Sequence, residues 1–575
     1  MQTINELGSY TFPALLKNTV KLFAERPALA FPTDEPFTYS QVNQKIEKVR
    51  SLLDSIGISA GDKVAIFSRN MPHWGIAYLA IVTMGAVAVP LLPDFNESDV
   101  AGCISHSGTN AMIVSKALMS KMPESIEKAV LLDDFSLIRG ESKEERAVPV
   151  YESSEDDTAA IIYTSGTTGR PKGVELSHKN LVFSAVSCQF AHRVNKYDVF
   201  LSILPMSHVY EFTVGFLLAF LNGALVVYLD GPPVPRILMP TLQKVKPNNI
   251  LSVPLIIEKI YKSKVVPAFN KSKFTKFFVK TWLGRKIMSR IAGKKIIKAM
   301  GGRVKFFGIG GSKVDPKIEE FLKDAKFPYG IGYGLTETSP LVAFSNPKTT
   351  KPGMIGPAIP GVDVKLLNQN EEGIGELVVK GPNVMKGYYL EPELTKEAFT
   401  EDGWFKTGDL CKIDKKGRVG LCGRSKNLIL SAAGENIYPE DIEFVLNQHP
   451  IVSESLVVEG ENSSIVALIK LNEEKLKNAA DKERLSHESE TKLQATQRTF
   501  DSVVNSITDA IAYKNEEVLN EIKFFVNSRV NRTSKINKIN VVKDFEKTAS
   551  QKIKRYLYSI LNPPKKSGDK KPAKD

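Results

Sequence analysis

The feature that most constrains this chain is the stretch Thr158–Gly173, an apolar run that ends in a loop crowded with glycines and hydroxyls. Thr158-Ala159-Ala160-Ile161-Ile162 has the length and continuous apolarity of a buried strand. Tyr163-Thr164-Ser165-Gly166-Thr167-Thr168-Gly169-Arg170-Pro171-Lys172-Gly173 follows it directly. Gly166, Gly169 and Gly173 let the backbone turn tightly and come close to a ligand. The hydroxyls and free backbone N–H groups suit phosphate oxygens, and Lys172 adds a point charge. The order is not that of the common P-loop, because Lys172 lies between Pro171 and Gly173 and no Ser or Thr follows it. For a bare glycine-rich loop, a surface turn with an incidental lysine is the alternative.

Residues 1 to about 155 alternate helical and strand patterns. Leu15–Phe23 is helix-like, Ser40–Ile56 is amphipathic, and Lys63–Phe67 is a short strand. Trp74–Met84 then reads as a helix and Ala86–Leu91 as another strand. This alternation predicts an α/β fold with mainly parallel sheets. Such sheets bind ligands at loops beyond the strand ends, where the Thr164 loop falls. A chain of 575 residues exceeds one core and divides into at least two domains. The expected division is a large N-terminal domain of helix-flanked, mainly parallel sheets over 1–423 and a small α+β domain over 424–562. Within the second, about 473–518 reads as a solvated helical insertion, and 563–575 as a basic disordered tail.

The chain is 42% hydrophobic and 25% charged, ordinary values for a soluble globular protein. Cys103, Cys188, Cys411 and Cys422 are scattered, which suits a reducing cytosol better than a disulfide framework or structural zinc. Residues 1–6 lack a basic stretch followed by an apolar one, so no signal peptide is expected. Phe212–Leu229 is eighteen residues without a charge, long enough to suggest a membrane span. Asn222-Gly223 interrupts it and Gly223–Leu229 has a strand pattern, so it is read as core. The net charge of +13 is concentrated in Lys262–Lys305, which holds fourteen Lys and Arg and no Asp or Glu. Phe274, Phe277, Phe278, Trp282, Leu283 and Ile287 lie among those cations. That is the composition of a membrane-surface helix. The charge also suits the phosphates of CoA or of nucleic acid, and a solvated basic face over ordinary core is the plainer alternative.

Further words follow the first in the chain. Leu204–Phe212 sets His208 beside an apolar segment, and Gly301–Ser312 reads as a strand ending in a glycine turn. Tyr329–Thr338 reads as a turn with glycines around Tyr333, and its Thr336-Glu337 pair offers a hydroxyl and a hard oxygen ligand for Mg²⁺. In Gly403–Asp409 a carboxylate follows a Thr407-Gly408 turn and can accept two hydrogen bonds from a ribose diol. Gly420–Lys426 contains Arg424, and Phe545–Arg555 gathers several cations among which composition does not choose.

In this order the words resemble those of the adenylate-forming superfamily: acyl-CoA synthetases, peptide-synthetase adenylation domains and luciferases. The likeness runs from about residue 160 to 555. It implies a phosphate loop of Thr164, Ser165, Gly166, Thr167, Thr168, Gly169 and Lys172, with Thr164 and Glu337 holding Mg²⁺. It also implies that Gly311 and Ser312 lie close to adenine, that Tyr333 packs against it, and that Thr336 meets the α-phosphate. By the same resemblance Asp409 binds the ribose and Arg424 contacts the nucleotide. His208 is implied near the substrate carboxylate, and Phe212 at an aromatic gate of the acyl pocket. Gly434 and Glu435 fall in the family's pantetheine tunnel, Lys426 at the hinge of a mobile C-terminal domain, and Lys552 at the catalytic lysine. Two departures are visible: Asn427 where the family often has Asp, and Gln551 before the lysine where glycine is usual.

The resemblance implies ATP, Mg²⁺ and CoA. A carboxylate is activated to an acyl-adenylate with release of pyrophosphate, and a thiol then displaces AMP. Leu204–Glu211, Gly301–Val304 and Thr548–Arg555 look like long-chain fatty acyl-CoA synthetases, so a long-chain fatty acid is the expected substrate. The nearest rival is an acyl-acyl carrier protein synthetase, whose basic surface would dock an acidic carrier. A rival of another class is a basic nucleic-acid-binding or scaffolding protein. It would need stacking platforms or a recognisable module, and with neither in the sequence no nucleic-acid partner is expected. The expected setting is cytoplasmic, with peripheral contact at the inner face of an anionic membrane.

Overall fold

Thr158–Ser165 forms a strand, and its two neighbours set the plan of the first sheet. On one side it pairs in parallel with Val87–Leu91; on the other the chain turns back as Pro171–Ser177 and pairs antiparallel. The whole order is Gly387–Tyr388, Pro171–Ser177, Thr158–Ser165, Val87–Leu91, Lys63–Phe67, Ala111–Val114, Lys128–Leu131, Leu137–Arg139. The five strands from Thr158–Ser165 to Lys128–Leu131 are parallel, and antiparallel strands close both edges. A second eight-stranded sheet repeats the plan. Its order is Leu341–Phe344, Tyr329–Gly334, Phe306–Ile309, Asn249–Ser252, Val199–Ser202, Leu225–Tyr228, Pro27–Ala30, Phe37–Thr38. Six inner strands are parallel. Parallel strands require crossovers that bring helices onto the sheet faces, which is the physical content of the helix–strand alternation.

The computed structural model describes residues 7–165, 171–430, 436–460, 464–472, 516–548 and 552–558. The chain divides into two compact units: Met1–Thr407 with Cys411–Leu421, and Gly408–Leu410 with Cys422–Asp575. A four-stranded sheet has the order Asp363–Leu367, Gly375–Lys380, Phe405–Ile413, Val419–Arg424.

The core of the large unit explains the uncharged Phe212–Leu229 stretch. Glu211–Leu217 is a π-helical turn that runs into the α-helical turn Leu218–Leu221, and Leu225–Tyr228 is a strand. Every residue from Glu211 to Ala224 is buried, so the segment is core as its Asn222-Gly223 break predicts. Among the described residues no helix is long and apolar enough to cross a membrane. Its rings pack against helix Pro72–Thr83, which is buried everywhere but at His73. Trp74 stacks on Tyr78 with centroids 5.6 Å apart, Tyr78 meets Phe212 at 4.2 Å, and Phe212 meets Phe216 at 5.8 Å. Gly75 makes room for this wall: a Cβ there would lie 2.7 Å from Phe216 Cζ.

The small unit is α+β. Val452–Glu459 pairs antiparallel with Ile465–Leu471, which pairs in parallel with Lys538–Val541. Helix Pro439–Leu446 and a helix over 516–527 cover it, burying Ile442, Leu446, Ile522 and Val526 against Val457 and Ile469. Pro439 opens its helix with Glu440 and Asp441 in the first turn, matching the positive end of the helix dipole. Of the expected helical insertion, 473–515 lies outside the described residues.

Candidate active site

The glycine-rich loop is the tip of a hairpin. Thr164 pairs with Lys172 and Ser165 with Pro171, so both Thr164 and Lys172 lie in strands where the sequence suggested a loop. The ladder reaches that far because Gly173 permits it: a Cβ there would lie 2.9 Å from Ile161 Cγ2. Gly166, Thr167, Thr168 and Gly169 fall outside the described residues, as does the side chain of Ser165.

The same hairpin carries a third strand, Gly387–Tyr388, paired to Val174 and Glu175. That pairing brings Tyr388 under Lys172, whose Nζ lies 5.4 Å from the ring centroid. The Tyr388 hydroxyl donates to Glu337 Oε1 at 2.9 Å. Burial, and then the Glu337 charge, push the phenol far above its usual range, so it stays a donor. Lys172, Tyr388 and Glu337 thus form one continuous polar line. Glu337 sits in the short 3₁₀ turn Thr336–Thr338, half-buried. Two asparagines hold that turn. Asn383 Nδ2 donates to the carbonyls of Thr338 at 3.2 Å and Leu341 at 2.8 Å, and Asn180 Nδ2 to those of Pro382 and Val384, both at 2.8 Å. Met385 N–H donates to the Glu337 carbonyl at 2.9 Å.

The strand ends of the second sheet carry the next group of expected site residues. Phe306–Ile309 runs into Gly310-Gly311-Ser312, where Gly311 takes φ +92°, a conformation glycine adopts without strain. Tyr333 lies beside it in strand Tyr329–Gly334 and not in a turn; it is 8% exposed and paired with Ala343. Gly334 explains how a strand fits there, since a Cβ would lie 1.6 Å from the Pro340 carbonyl oxygen. Thr336 follows two residues later, at the head of the Glu337 turn.

His208 is exposed, and its Nδ1 accepts the Tyr210 N–H at 3.2 Å, which assigns the ring proton of the neutral form to Nε2. Asn70 fixes this corner, donating to the Leu204 carbonyl at 2.6 Å and to Ser202 Oγ at 2.9 Å, and accepting from Met206 N–H at 2.8 Å. Tyr210 lies across the second-sheet strand end, within 3.1 Å of where Cβ atoms on Gly308 and Gly310 would stand. An apolar cavity of about 10 Å³ adjoins it, lined by Tyr210, Val214, Leu218, His192, Phe306 and Phe344 among others. Phe212, expected at the acyl pocket, does not line it. It is 2% exposed and packs into the Trp74–Tyr78–Phe216 wall, while Tyr210 and Val214 face the cavity. The adjacent Glu211 is buried; burial raises its carboxyl to about 8, eased by a hydrogen bond with Ser202.

In the small unit Asp409 is 2% exposed and takes the Arg424 Nε at 2.8 Å. It stands in strand Phe405–Ile413, not after a free turn; Gly408, at φ +70°, bends the strand and its carbonyl accepts from Ser425 Oγ at 3.1 Å. Lys426 is exposed in the turn Ser425–Asn427. Near the C-terminus, Lys547 pairs with Glu454 at 2.5 Å and Arg555 with Glu443 at 2.6 Å. Lys552 is exposed, with its backbone pinned to Thr548 by two hydrogen bonds of 2.8 and 3.2 Å. Gly434 and Glu435 lie outside the described residues.

Residues 16–389 match the AMP-binding enzyme family. The chain belongs to that family. Curated relatives include a long-chain-fatty-acid–CoA ligase of Mycobacterium bovis, 30% identical, with 76% of this chain and 77% of that protein aligned. A peroxisomal long chain acyl-CoA synthetase of Arabidopsis thaliana is 31% identical over 78% of this chain and 70% of its own. Among solved structures, o-succinylbenzoate coenzyme A synthetase from Bacillus subtilis in complex with AMP superposes with a TM-score of 0.73 at 22% identity, covering 95% of this chain and 97% of that one. That likeness establishes the α/β fold with its large N-terminal domain.

For an AMP-binding enzyme the donor set is informative. Among the described residues no three His, Cys, Asp or Glu side chains gather into a cage. A single carboxylate, Glu337, near the cation Lys172 suits a Mg²⁺ that arrives with nucleotide phosphates, because that ion takes one or two carboxylates and completes its shell with phosphate and water. Sequence reasoning named Lys172 and Glu337 and passed over what joins and braces them, Tyr388, Asn383 and Asn180, as it passed over Asn70 at the His208 corner. A tyrosine two residues past Lys386 carries no motif of its own; only strand pairing shows its use.

Proposed function

We propose that this AMP-binding enzyme activates a long-chain fatty acid with Mg-ATP and passes the acyl group to the thiol of CoA. The observation that carries the reading is the Lys172–Tyr388–Glu337 line in the large unit, read with relatives named as long-chain fatty acid–CoA ligases. A fatty-acid carboxylate oxygen attacks the α-phosphorus, the bond to the pyrophosphate leaving group breaks, and an acyl-adenylate results. The thiol then attacks the acyl carbonyl and AMP leaves. Charge crowds at phosphorus in the first step, so catalysis rests on positioning and cationic stabilisation. Lys172 and Lys552 supply cations, and Thr164 and Thr336 hydroxyl contacts to phosphate. Glu337 with Thr164 would hold Mg²⁺, which neutralises phosphate charge. Tyr333, Gly311 and Ser312 take the adenine; Asp409, oriented by Arg424, takes the ribose. His208 orients the carboxylate with its Nε2 proton. Lys426 is the pivot about which the small unit withdraws Lys552 before thiol attack, along a tunnel that includes Gly434 and Glu435.

A carrier-protein acceptor is the second reading, favoured by an Arabidopsis chloroplastic long-chain-fatty-acid–[acyl-carrier-protein] ligase 27% identical over 80% of this chain. Pyrophosphate release from Mg-ATP, measured across acetate, octanoate, palmitate and benzoate with CoA, with acyl carrier protein and with neither, separates them. Turnover that peaks with palmitate and needs CoA is the expected result. Turnover only with the carrier protein moves the acceptor, and a benzoate maximum removes the fatty acid. In Lys552→Ala, adenylate formation is lost while thioester formation from added acyl-AMP remains; equal loss of both steps contradicts the assignment.

A further inference from the structure

Helices Lys273–Lys280 and Trp282–Ala299 belong to the crossover between the parallel strands Asn249–Ser252 and Phe306–Ile309. One side of the pair is seated tightly. Gly284, Ser289, Gly293 and Ile296 are buried; a Cβ on Gly284 would lie 2.0 Å from the Phe278 carbonyl oxygen, and one on Gly293 2.8 Å from Ala325 Cβ. Arg285 is tied to Asp324 at 2.8 Å. The other side is unusual for a folded surface. Phe274 is 73% exposed, Phe277 70% and Trp282 66%, with Leu283, Ile287 and Ile291 exposed after them. Leu283, Ile287 and Ile291 recur at helical spacing, so they share one face of the longer helix, and Arg290, Lys294 and Lys298 continue that face toward its C-terminus. Phe274 stacks on Phe278 at 5.8 Å, and Lys286 Nζ stands 4.0 Å over the Trp282 ring.

We propose that this face docks on an anionic lipid bilayer, with Phe274, Phe277, Trp282 and Leu283 entering the headgroup boundary and the surrounding lysines meeting lipid phosphates. Charge complementarity argues for it: Lys262–Lys305 carries eleven Lys, three Arg and no acid. Lys stems lie along apolar surface while their ammonium groups reach water or phosphate, the behaviour expected at such a boundary. The aliphatic members decide against nucleic acid, for Leu283, Ile287 and Ile291 offer nothing to a base or a phosphate. No described helix is fit to span, so the contact lies in the interface plane. The docking rests on surface chemistry alone, and its failure would leave the adenylation reading untouched.

The test uses the full chain with vesicles of phosphatidylcholine alone and of phosphatidylcholine mixed with phosphatidylglycerol. Co-sedimentation with the mixed vesicles, weakened by salt and accompanied by a blue shift of Trp282 emission, is expected. Replacing Phe274, Phe277 and Trp282 together by Ser should lower the partition coefficient at least about tenfold, with turnover on octanoate and the melting temperature unchanged. Removing Lys273, Lys276 and Lys280 singly to Gln should cost about fivefold each. The proposal is overturned if the parent chain ignores the mixed vesicles, if the serine variant binds them as the parent does, or if DNA or an acidic carrier protein binds more tightly and without regard to the serine substitutions.

Discussion

Two carboxylates of the large unit occupy opposite surroundings, and the contrast separates its proposed nucleotide face from its buried aromatic wall. Glu337 is half-buried, receives the Tyr388 hydroxyl at 2.9 Å, and lies on a line that leads to Lys172. Glu211 is 1% exposed, beside Ser202, Tyr228 and Gly215, and its carboxyl is raised to about 8. A carboxylate meant for a cation needs a donor that steadies its charged form and a route to the ion. One shut away from water is cheaper to keep protonated than to charge. On the proposed reading the first group serves chemistry and the second architecture.

The largest expected effect tests the wall. Phe216→Ala leaves a void where helix Pro72–Thr83 and the Glu211–Leu221 segment meet, and should lower stability by about 3–5 kcal/mol in denaturant unfolding. Turnover per folded molecule should hold; a matching loss of turnover would erase the distinction between the regions. Next, Glu337→Ala should lower kcat about 100- to 1,000-fold with an unchanged melting temperature, measured by pyrophosphate release at saturating substrates. Tyr388→Phe removes one hydrogen bond to a charged group and should cost about tenfold in kcat/KM for Mg-ATP. If Tyr388→Phe is silent while Glu337→Ala is not, Tyr388 only fills space.

The contrast also accounts for what was legible in the sequence. The proposed nucleotide face was readable because its geometry depends on glycine: at Gly173 and Gly334 a Cβ would collide with neighbours, so those words leave little choice of residue. Tyr333 and Asp409 were misread as turn residues for the same reason, since glycine next to them permits a turn and a crowded or bent strand alike. The wall was not readable in detail. From Glu211 to Ala224 every residue is buried, so no polar face reports the phase of the helix. The π-helical turn Glu211–Leu217 departs from the 3.6-residue repeat as well, and Tyr210 and Val214 rather than Phe212 line the cavity. Tyr388 depends on strand pairing to residues more than two hundred positions earlier, which no local pattern encodes.

A pH dependence of stability is also expected. In the fold Glu211 holds its proton up to about pH 8, whereas the unfolded chain releases it near the ordinary glutamate value. Its contribution to stability is therefore fully present at acid pH and is lost as pH rises toward 8. Glu211→Gln should flatten the fall in melting temperature across that window, and an unaltered profile would show that Glu211 is not held protonated.

The most direct single measurement is palmitate-dependent exchange of labelled pyrophosphate into ATP in the absence of CoA. Exchange that requires palmitate and Mg²⁺, and that disappears in Glu337→Ala, is the expected result. No exchange with palmitate, octanoate or any other fatty acid, while a different carboxylate supports it, would contradict fatty-acid adenylation at this site.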